Sequence, residues 1–457
     1  MYEQIQKIFT ILINNDCEVY IAGGAVRDIV MGIEPHDYDF VTSALPSEVA
    51  DIFTSQGHKV IPTGIEHGTV TVLIDDIPFE TTTYRIDTRC DGRHCEVQFV
   101  RSLEEDIKRR DFTINALAMD KDNNIIDLVN GLEDIKNKII RTVGDPEQRF
   151  TEDYLRILRA VRFSTKLNFN IHPNTFSAIL KLYQNLTKIS RERIREEFTR
   201  ILQSSNRIKG VLMLYETNII DIIIPDFSKL ADVQQPVEFH PEGDVFKHTT
   251  MVLSKIEEGD SLHLILATLL HDFGKLYTYT FDIEKQRITF NEHDIVGAQQ
   301  AKEVLCDLKY DNDTIEKVYY IISNHMKLHQ KLAKSTIKRL MLTKTDTGYI
   351  YNPVFDELLK LHKYEIDASI KSFTEEEKKT EKDLLRNVKE IKAELEEELK
   401  KQALKRLITG YDVMNQGIEP GPIISEIMTK IDDAQLEGTI TTREDALRYL
   451  NQIIGKH

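Results

Sequence analysis

The sequence predicts an α+β protein in which a mixed α/β unit precedes an almost wholly helical remainder. Two observations carry this reading. Short β-branched segments cluster before residue 145, and from Glu152 onward apolar residues recur with helical spacing. At 457 residues the chain has material for about three domains. Hydrophobic residues make up 41% and charged residues 29%, the balance of a globular rather than a disordered protein.

Taken in order, Ile5, Ile8, Phe9 and Leu12 form one face of a first helix, and Glu3 and Asp16 beside them exclude the basic leader and apolar block of a signal peptide. Residues 18–23 are an apolar run ending in paired glycines, read as strand and turn into a helix over 26–31. Segments 39–42, 69–74, 77–83 and 96–100 read as further strands by β-branched enrichment and alternation. The helical part is punctuated by loops at 170–174, 240–244 and 309–313. Its longest apolar stretches, such as 264–270, fall well short of the roughly 18 residues of a membrane span, so no membrane association is expected. Cys17, Cys90, Cys95 and Cys306 are too few for a disulfide framework and lack zinc-ligand spacing, which fits a reducing, cytoplasmic compartment.

The formal net charge of −16 argues at first against a nucleic-acid partner. The distribution reverses that argument, because residues 151–210 hold 12 Lys/Arg against 5 Asp/Glu. Residues 371–400 instead mix 10 acidic with 8 basic side chains along an apolar stripe, the pattern of a long solvated helix with internal ion pairs and no chemistry.

Three constellations bear chemistry. The first is the glycine turn Gly23-Gly24 with Arg27, followed by Asp37-Tyr38-Asp39. Paired glycines between strand and helix let the backbone approach a phosphate, and Arg27 adds a cationic fork. Carboxylates at i and i+2 of a strand share a face and can share divalent cations. A lone Asp-x-Asp is a common loop feature; joined to the glycine turn it makes a phosphoryl-transfer layout, with Glu80 as the third carboxylate of a two-metal arrangement. The second constellation is the run 109–116, which includes Arg110. In the third, Asp153, Arg156, Arg159 and Arg162 recur every three residues, placing an acid and three guanidiniums on one predicted helical stripe.

On these residues the chain resembles the class II tRNA nucleotidyltransferases, the CCA-adding enzyme and poly(A) polymerase family, in the bacterial form fused to an HD domain. Further matching stretches are Thr63-Gly64, 67–72, 80–87, 91–94, 240–244, 408–421 and 437–443, which together span nearly the whole chain. The resemblance implies a polymerase-β-like α/β head (1–145), a helical neck and body that select nucleotides and bind RNA (146–235), an HD domain (236–380) and a helical RNA-binding tail (381–457). It implies that Asp37 and Asp39 hold Mg²⁺ with Glu80 assisting deprotonation. Gly24, Arg27, Arg110, Arg159 and Arg162 would contact the nucleotide, and Asp153 with Arg156 would form an amino-acid template for the incoming base. CTP, ATP and the acceptor arm and 3′ end of tRNA are the implied partners, with no DNA.

His271-Asp272, preceded by His248, resembles the metal signature of the HD phosphohydrolases. His293 and His325 are further possible ligands of a second divalent metal, and Glu365 stands where that superfamily often has an aspartate, with Asp367 two residues on. Enzymes adding only CC or only A, and a poly(A) polymerase, are alternatives within the family. The 63–72 stretch resembles the CCA-adding version, and the segment 84–100 occupies the place of a flexible loop that CC-only enzymes lack. An HD phosphohydrolase with a merely nucleotide-binding head is the alternative of a different class.

Overall fold

The structure, a computed structural model, describes all residues except 63, 94, 237, 239–240, 285, 346–347, 370–372, 402–405 and 456–457, and the side chains of 397–401. Thr63, His94 and His240 of the motifs above therefore lie outside the described residues. The chain divides into two compact units, residues 1–228 with 307–310, and residues 229–306 with 311–457.

The first unit begins with the helix Tyr2–Asn14, whose residues Ile5, Ile8, Phe9, Ile11 and Leu12 are buried. It packs on a mixed sheet built from β1 (Val19–Ala22), β2 (Phe40–Thr42), β3 (Lys59–Ile61), β4 (Thr69–Ile74), β5 (Ile77–Thr83), β8 (Leu117–Met119) and β9 (Ile125–Asp127). The order is β3-β4-β5-β2-β1-β8-β9, with β2 and β5 parallel and the other neighbours antiparallel. Alternation decides the faces: Val70, Val72 and Ile74 of β4 are fully buried, and Phe79, Thr81 and Thr83 of β5 follow the same period. Phe40 at the sheet centre meets Phe9 and Phe79 edge-on, at 5.4 and 6.0 Å between ring centroids. A separate hairpin, β6 (Arg85–Thr88) with β7 (Glu96–Phe99), fills the segment expected to be a loop with a single strand.

Strands β3, β6, β8 and β9 are absent from the sequence reading for a physical reason. Each is three or four residues long, β8 is buried on both faces, and edge strand β3 is largely exposed, so none shows a run of alternation. The cysteine expectation is corrected as well. Cys90 and Cys95 are joined by a disulfide, because pairing of Thr88 with Glu96 brings the two ends of the hairpin loop to a Cα separation of 4.1 Å. Cys17 and Cys306 are free.

The second unit is helical, interrupted by the hairpins Tyr279–Asp282/Arg287–Phe290 and Leu342–Lys344/Tyr349–Tyr351. Residues 264–270 are all buried, so the most apolar run of the chain is a core helix. Among the described residues no helix is long and apolar enough to cross a membrane. A second cluster, with Ile408, Val413, Ile427, Ile431 and Leu450 at its centre, forms the core of the carboxy-terminal helices. One close approach organises the unit: a Cβ on Gly274 would lie 2.0 Å from the carbonyl oxygen of His293 and 2.6 Å from the amide of Gly297. Only glycine lets the turn after His271-Asp272 press on the helix that begins at His293. Gly274→Ala should therefore destabilise the chain by about 1–3 kcal/mol or more through overpacking. A denaturation midpoint unchanged from the parent would refute this.

Candidate functional site

In the first unit, Gly23 has φ +83°, the left-handed region that glycine adopts freely, and so turns β1 into the short helix Gly24–Val30. Its amide donates to the carbonyl of Leu117 (3.1 Å), and the amide of Ala22 donates to that of Asp39 (2.9 Å). A Cβ on Gly23 would come within 3.0 Å of the Arg110 guanidinium, so Arg110 lies directly on the turn. Arg110 is held there by Asp106 (3.1 Å) and the carbonyl of Asn115 (3.3 Å). The residue with the conformational requirement is thus Gly23; Gly24 has ordinary clearance to Arg27.

Asp37 and Asp39 lie just before β2 rather than within it, both on the surface. Since Phe40 pairs with Thr81 in parallel register, stepping back one residue on each strand sets Asp39 beside Glu80. The Asp39 carboxyl is pushed above its ordinary range, first by desolvation and then by Glu80 and Asp37, with Arg110 opposing. These carboxylates form no side-chain hydrogen bond or ion pair among the described residues, and such a like-charge group fits a divalent cation. They are not drawn into a single tight shell: among the described residues, the groups with three donor atoms within 4.8 Å of one another all lie in the second unit.

The arginines behave differently from the expected stripe. The helix breaks between Pro146–Glu152 and Leu155–Leu167, and Asp153 sits in the break with extended backbone. The amide of Tyr154 donates to the carbonyl of Gly92 (2.9 Å), and that of Leu155 to the Asp153 side chain (3.0 Å), so the helical ladder stops there. Asp153 accepts from Arg193 (2.8 Å), while Arg156 is buried and bound to Glu152 (2.5 Å) and to the carbonyls of Arg149 and Arg109 (2.9 and 3.2 Å). Asp153 and Arg156 are therefore not paired with each other. Arg27, Arg159 and Arg162 converge on the buried ring of Phe163, at 5.4, 5.3 and 4.2 Å from its centroid. Arg27 is held by Asp28 (2.7 Å) and Asn115 (2.7 Å), Arg159 by Asp111 (2.6 Å), and Arg162 by Glu197 (2.5 Å).

Sequence reasoning assigned no role to Asp106, Phe163 or Glu197; it counted Arg193 only in the basic stretch, and it took Asp111 and Asn115 only as part of the 109–116 run, which by resemblance is a ribose-contacting motif. The i, i+4 spacing of Asp111 and Asn115 was the available signal; the two side chains are hydrogen-bonded at 3.2 Å. Burial works to raise the Asp111 carboxyl, but Arg159 and its hydrogen bonds hold it at about 2. A folded value below the ordinary 3.8 means that the stabilisation is complete above pH 4 and is lost as pH falls toward 2. Asp111→Asn should lower stability at neutral pH by about 2 kcal/mol and flatten its pH dependence between pH 4 and 2. Denaturant midpoints across that range test this, and a slope equal to that of the parent overturns it.

In the second unit the structure brings all six expected residues together. His248 is on the helix Val245–Leu253, His271-Asp272 follow Leu262–Leu270, His293 opens His293–Asp307, His325 follows Asn312–Asn324, and Glu365 is on Val354–Ala368. The Nε2 atoms of His271, His293, His248 and His325 lie 3.3, 3.4, 3.7 and 3.9 Å from Asp272, and Glu365 is 3.7 Å from His271. Each ring's Nδ1 is engaged: by the carbonyl of Thr268 (2.9 Å) for His271, of Phe290 (2.7 Å) for His293 and of Ile322 (2.6 Å) for His325, and by Glu242 (2.6 Å) for His248. Protonation at Nδ1 leaves the Nε2 lone pairs facing inward, and those of His271, His293 and His325 are buried without a hydrogen bond. Such a donor set fits a metal ion. Burial pushes His325 down to about 3, keeping it neutral as a ligand must be. Sequence reasoning missed His329, His362 and Glu381, and took Glu242 only as part of the matching stretch 240–244; His325 with His329 at i, i+4 and His362 with Glu365 at i, i+3 were the signals that could have found two of them.

Comparison with known proteins shows what the chain as a whole is similar to. The family model "Poly A polymerase head domain" matches residues 19–141, "Probable RNA and SrmB- binding site of polymerase A" matches 168–230, and "HD domain" matches 244–408. The chain is 34% identical to the CCA-adding enzyme of Ligilactobacillus salivarius, over 94% of its own length and 91% of that protein's. Over 233 residues it is 46% identical to that of Leuconostoc mesenteroides, a match spanning 50% of this chain and 57% of the relative. The crystal structure of the Bacillus stearothermophilus CCA-adding enzyme in complex with CTP superposes with a TM-score of 0.67 at 26% identity, covering 100% of this chain and 98% of that one. Identity of this extent, sustained from the glycine turn to the carboxy-terminal helices, makes the chain a member of the CCA-adding enzymes, the tRNA nucleotidyltransferases.

Proposed function

We propose that the protein adds the 3′-terminal CCA to tRNA in the cytoplasm, using CTP and ATP and releasing pyrophosphate. The observation that carries this reading is the group Asp37, Asp39 and Glu80 set against the Gly23 turn and Arg110. Asp37 and Asp39 would hold Mg²⁺, which supplies charge neutralisation at the triphosphate and lowers the pKa of the attacking 3′-hydroxyl. Arg110 and the Gly23-Gly24 backbone steady the triphosphate, and Glu80 accepts the hydroxyl proton. Arg27, Arg159 and Arg162, ordered around Phe163, keep the nucleotide side of the site cationic.

Base choice follows from hydrogen-bond polarity. Cytosine and adenine each offer an exocyclic amino donor beside a ring-nitrogen acceptor, whereas uracil and guanine reverse that order. Asp153 accepts from the amino group and Arg156 donates to the ring nitrogen, so a wrong base leaves both side chains unmatched. Both residues must exchange their present partners, Arg193 and Glu152, to do so. Residues 1–145 serve as catalytic head, 146–235 as neck and body, 236–380 as HD domain and 381–457 as RNA-binding tail. The intact histidine cluster supports a second reading for the HD domain alone, metal-dependent hydrolysis of a phosphate ester.

With tRNA transcripts ending before CCA, CA or A, and CTP and ATP supplied singly and together, products resolved at one-nucleotide length should extend to full CCA. Arrest after CC, or extension only of the CC-ended transcript, would reassign the enzyme to a partial activity. Asp37→Ala should abolish incorporation of both nucleotides while tRNA binding is retained; normal turnover would sink the metal assignment. Arg156→Ala should raise UTP and GTP misincorporation relative to CTP and ATP by roughly tenfold or more, since one bidentate contact discriminates by about 1–3 kcal/mol. Unchanged fidelity in the folded variant would reject the template role.

A further inference from the structure

We infer that His329, His362 and Glu365 hold an additional divalent transition-metal ion beside the HD cluster, with Glu365 bridging the two. The inference rests on the reading of the inner histidine cluster as a metal site. One donor atom from each of the three residues lies within 4.8 Å of the others. Glu365 faces two ways: its Oε1 is 3.7 Å from His271 of the inner cluster, and its Oε2 is 3.2 Å from Nε2 of His329. That is the disposition of a carboxylate shared between two ions. His362 is oriented as a ligand, because its Nε2 lies 2.7 Å from Glu381 while its Nδ1 is buried without a hydrogen-bond partner. A carboxylate on one ring nitrogen and an orphaned lone pair on the other is the arrangement that fixes metal-binding histidines. The rings of His329 and His362 are 4.6 Å apart, closer than the 5.5 Å between His271 and His325 of the inner cluster.

The surroundings indicate what the added ion would do. The His271 side chain is fully buried, whereas that of His329 is 33% exposed, so the outer position lies on the solvent side. A cavity of about 1010 Å³ reaches both positions; Arg287, Lys331, Lys378 and Lys382 border it together with Glu376, Glu377 and Glu381, and Lys275 at its floor is bonded to Asp272 (2.8 Å). Its size admits a nucleotide-sized molecule, and cations over a multi-ion centre suit a phosphate ester. Two imidazoles and one carboxylate select Mn²⁺, Fe²⁺ or Zn²⁺ over Mg²⁺, which favours all-oxygen shells.

Mn²⁺ is the probe. The full chain is stripped with chelator and dialysed against Mn²⁺, the ions per chain are counted by elemental analysis, and spin coupling is read by electron paramagnetic resonance. His329→Gln and His362→Gln should each lose one Mn²⁺ per chain and the coupled signal attributable to the outer ion. Glu381→Gln should bind that ion roughly tenfold or more weakly. His329 is partly exposed, so its variant keeps the fold, and thermal melts verify this. An ion count and spectrum equal to the parent in both histidine variants overturns the proposal. His271→Ala separates the two readings: if it loses ions while His329→Gln does not, only the outer site fails, and if it loses none, the inner reading fails as well.

Discussion

A half-buried guanidinium, Arg159, set against the buried carboxylate of Asp111 is the interaction on which the first unit depends. Desolvation opposes the charge of Asp111, and Arg159 answers it with two hydrogen bonds to one oxygen, at 2.9 and 2.6 Å. The buried carboxylate is not tolerable there alone. Their pairing ties the 109–116 run to the helix Leu155–Leu167, and the same contact orders Asn115, which in turn holds Arg27. Arg110, anchored by Asp106, then lies on the Gly23 turn. The carboxylates of Asp37 and Asp39 lie at the surface end of this chain of pairs and form no ion pair among the described residues, the neighbouring Arg27 and Arg110 being held by Asp28 and Asp106.

The second unit meets a different constraint with the same logic. Around Asp272 each of four histidine rings has its Nδ1 engaged by a carbonyl or, in His248, by Glu242, which fixes the rings and turns their Nε2 atoms toward one aspartate. The arrangement depends on backbone approach, since the contact between Gly274 and the His293–Gly297 turn decides whether His293 reaches Asp272. Glycine in the His-Asp-Phe-Gly run is therefore a packing requirement as much as a turn residue.

Much of the site could be read from the chain, but unevenly. The glycine turn was legible because its chemistry is local, whereas the six HD residues, spread from His248 to Glu365, were named through the resemblance to the HD signature, since a lone His-Asp pair is usually structural. Of the stripe, Arg156, Arg159 and Arg162 do share the helix Leu155–Leu167, and only Asp153 departs, because periodicity cannot detect a helix interrupted by a partner far away in the chain, here the carbonyl of Gly92. The long charged helix Glu375–Lys401 was assigned no chemistry, yet its first turns border the HD cavity and contribute Glu381. Strands β6 and β8 escaped notice for want of length, and the disulfide because strand pairing, not spacing, brings its cysteines together.

What the sequence by itself determined was the inventory: an α/β head before a helical remainder, a basic stretch inside an acidic chain, carboxylates beside a glycine turn, and a set of histidines with ligand potential. These are properties of neighbouring residues, and local propensity and spacing decide them. Only the tertiary structure decided which charges remain available. Whether Arg27 or Arg156 is free, whether Glu365 faces one site or two, and which nitrogen of His362 is left without a hydrogen bond depend on partners far away in the chain. Burial makes such partners obligatory, and burial is a property of the folded molecule alone.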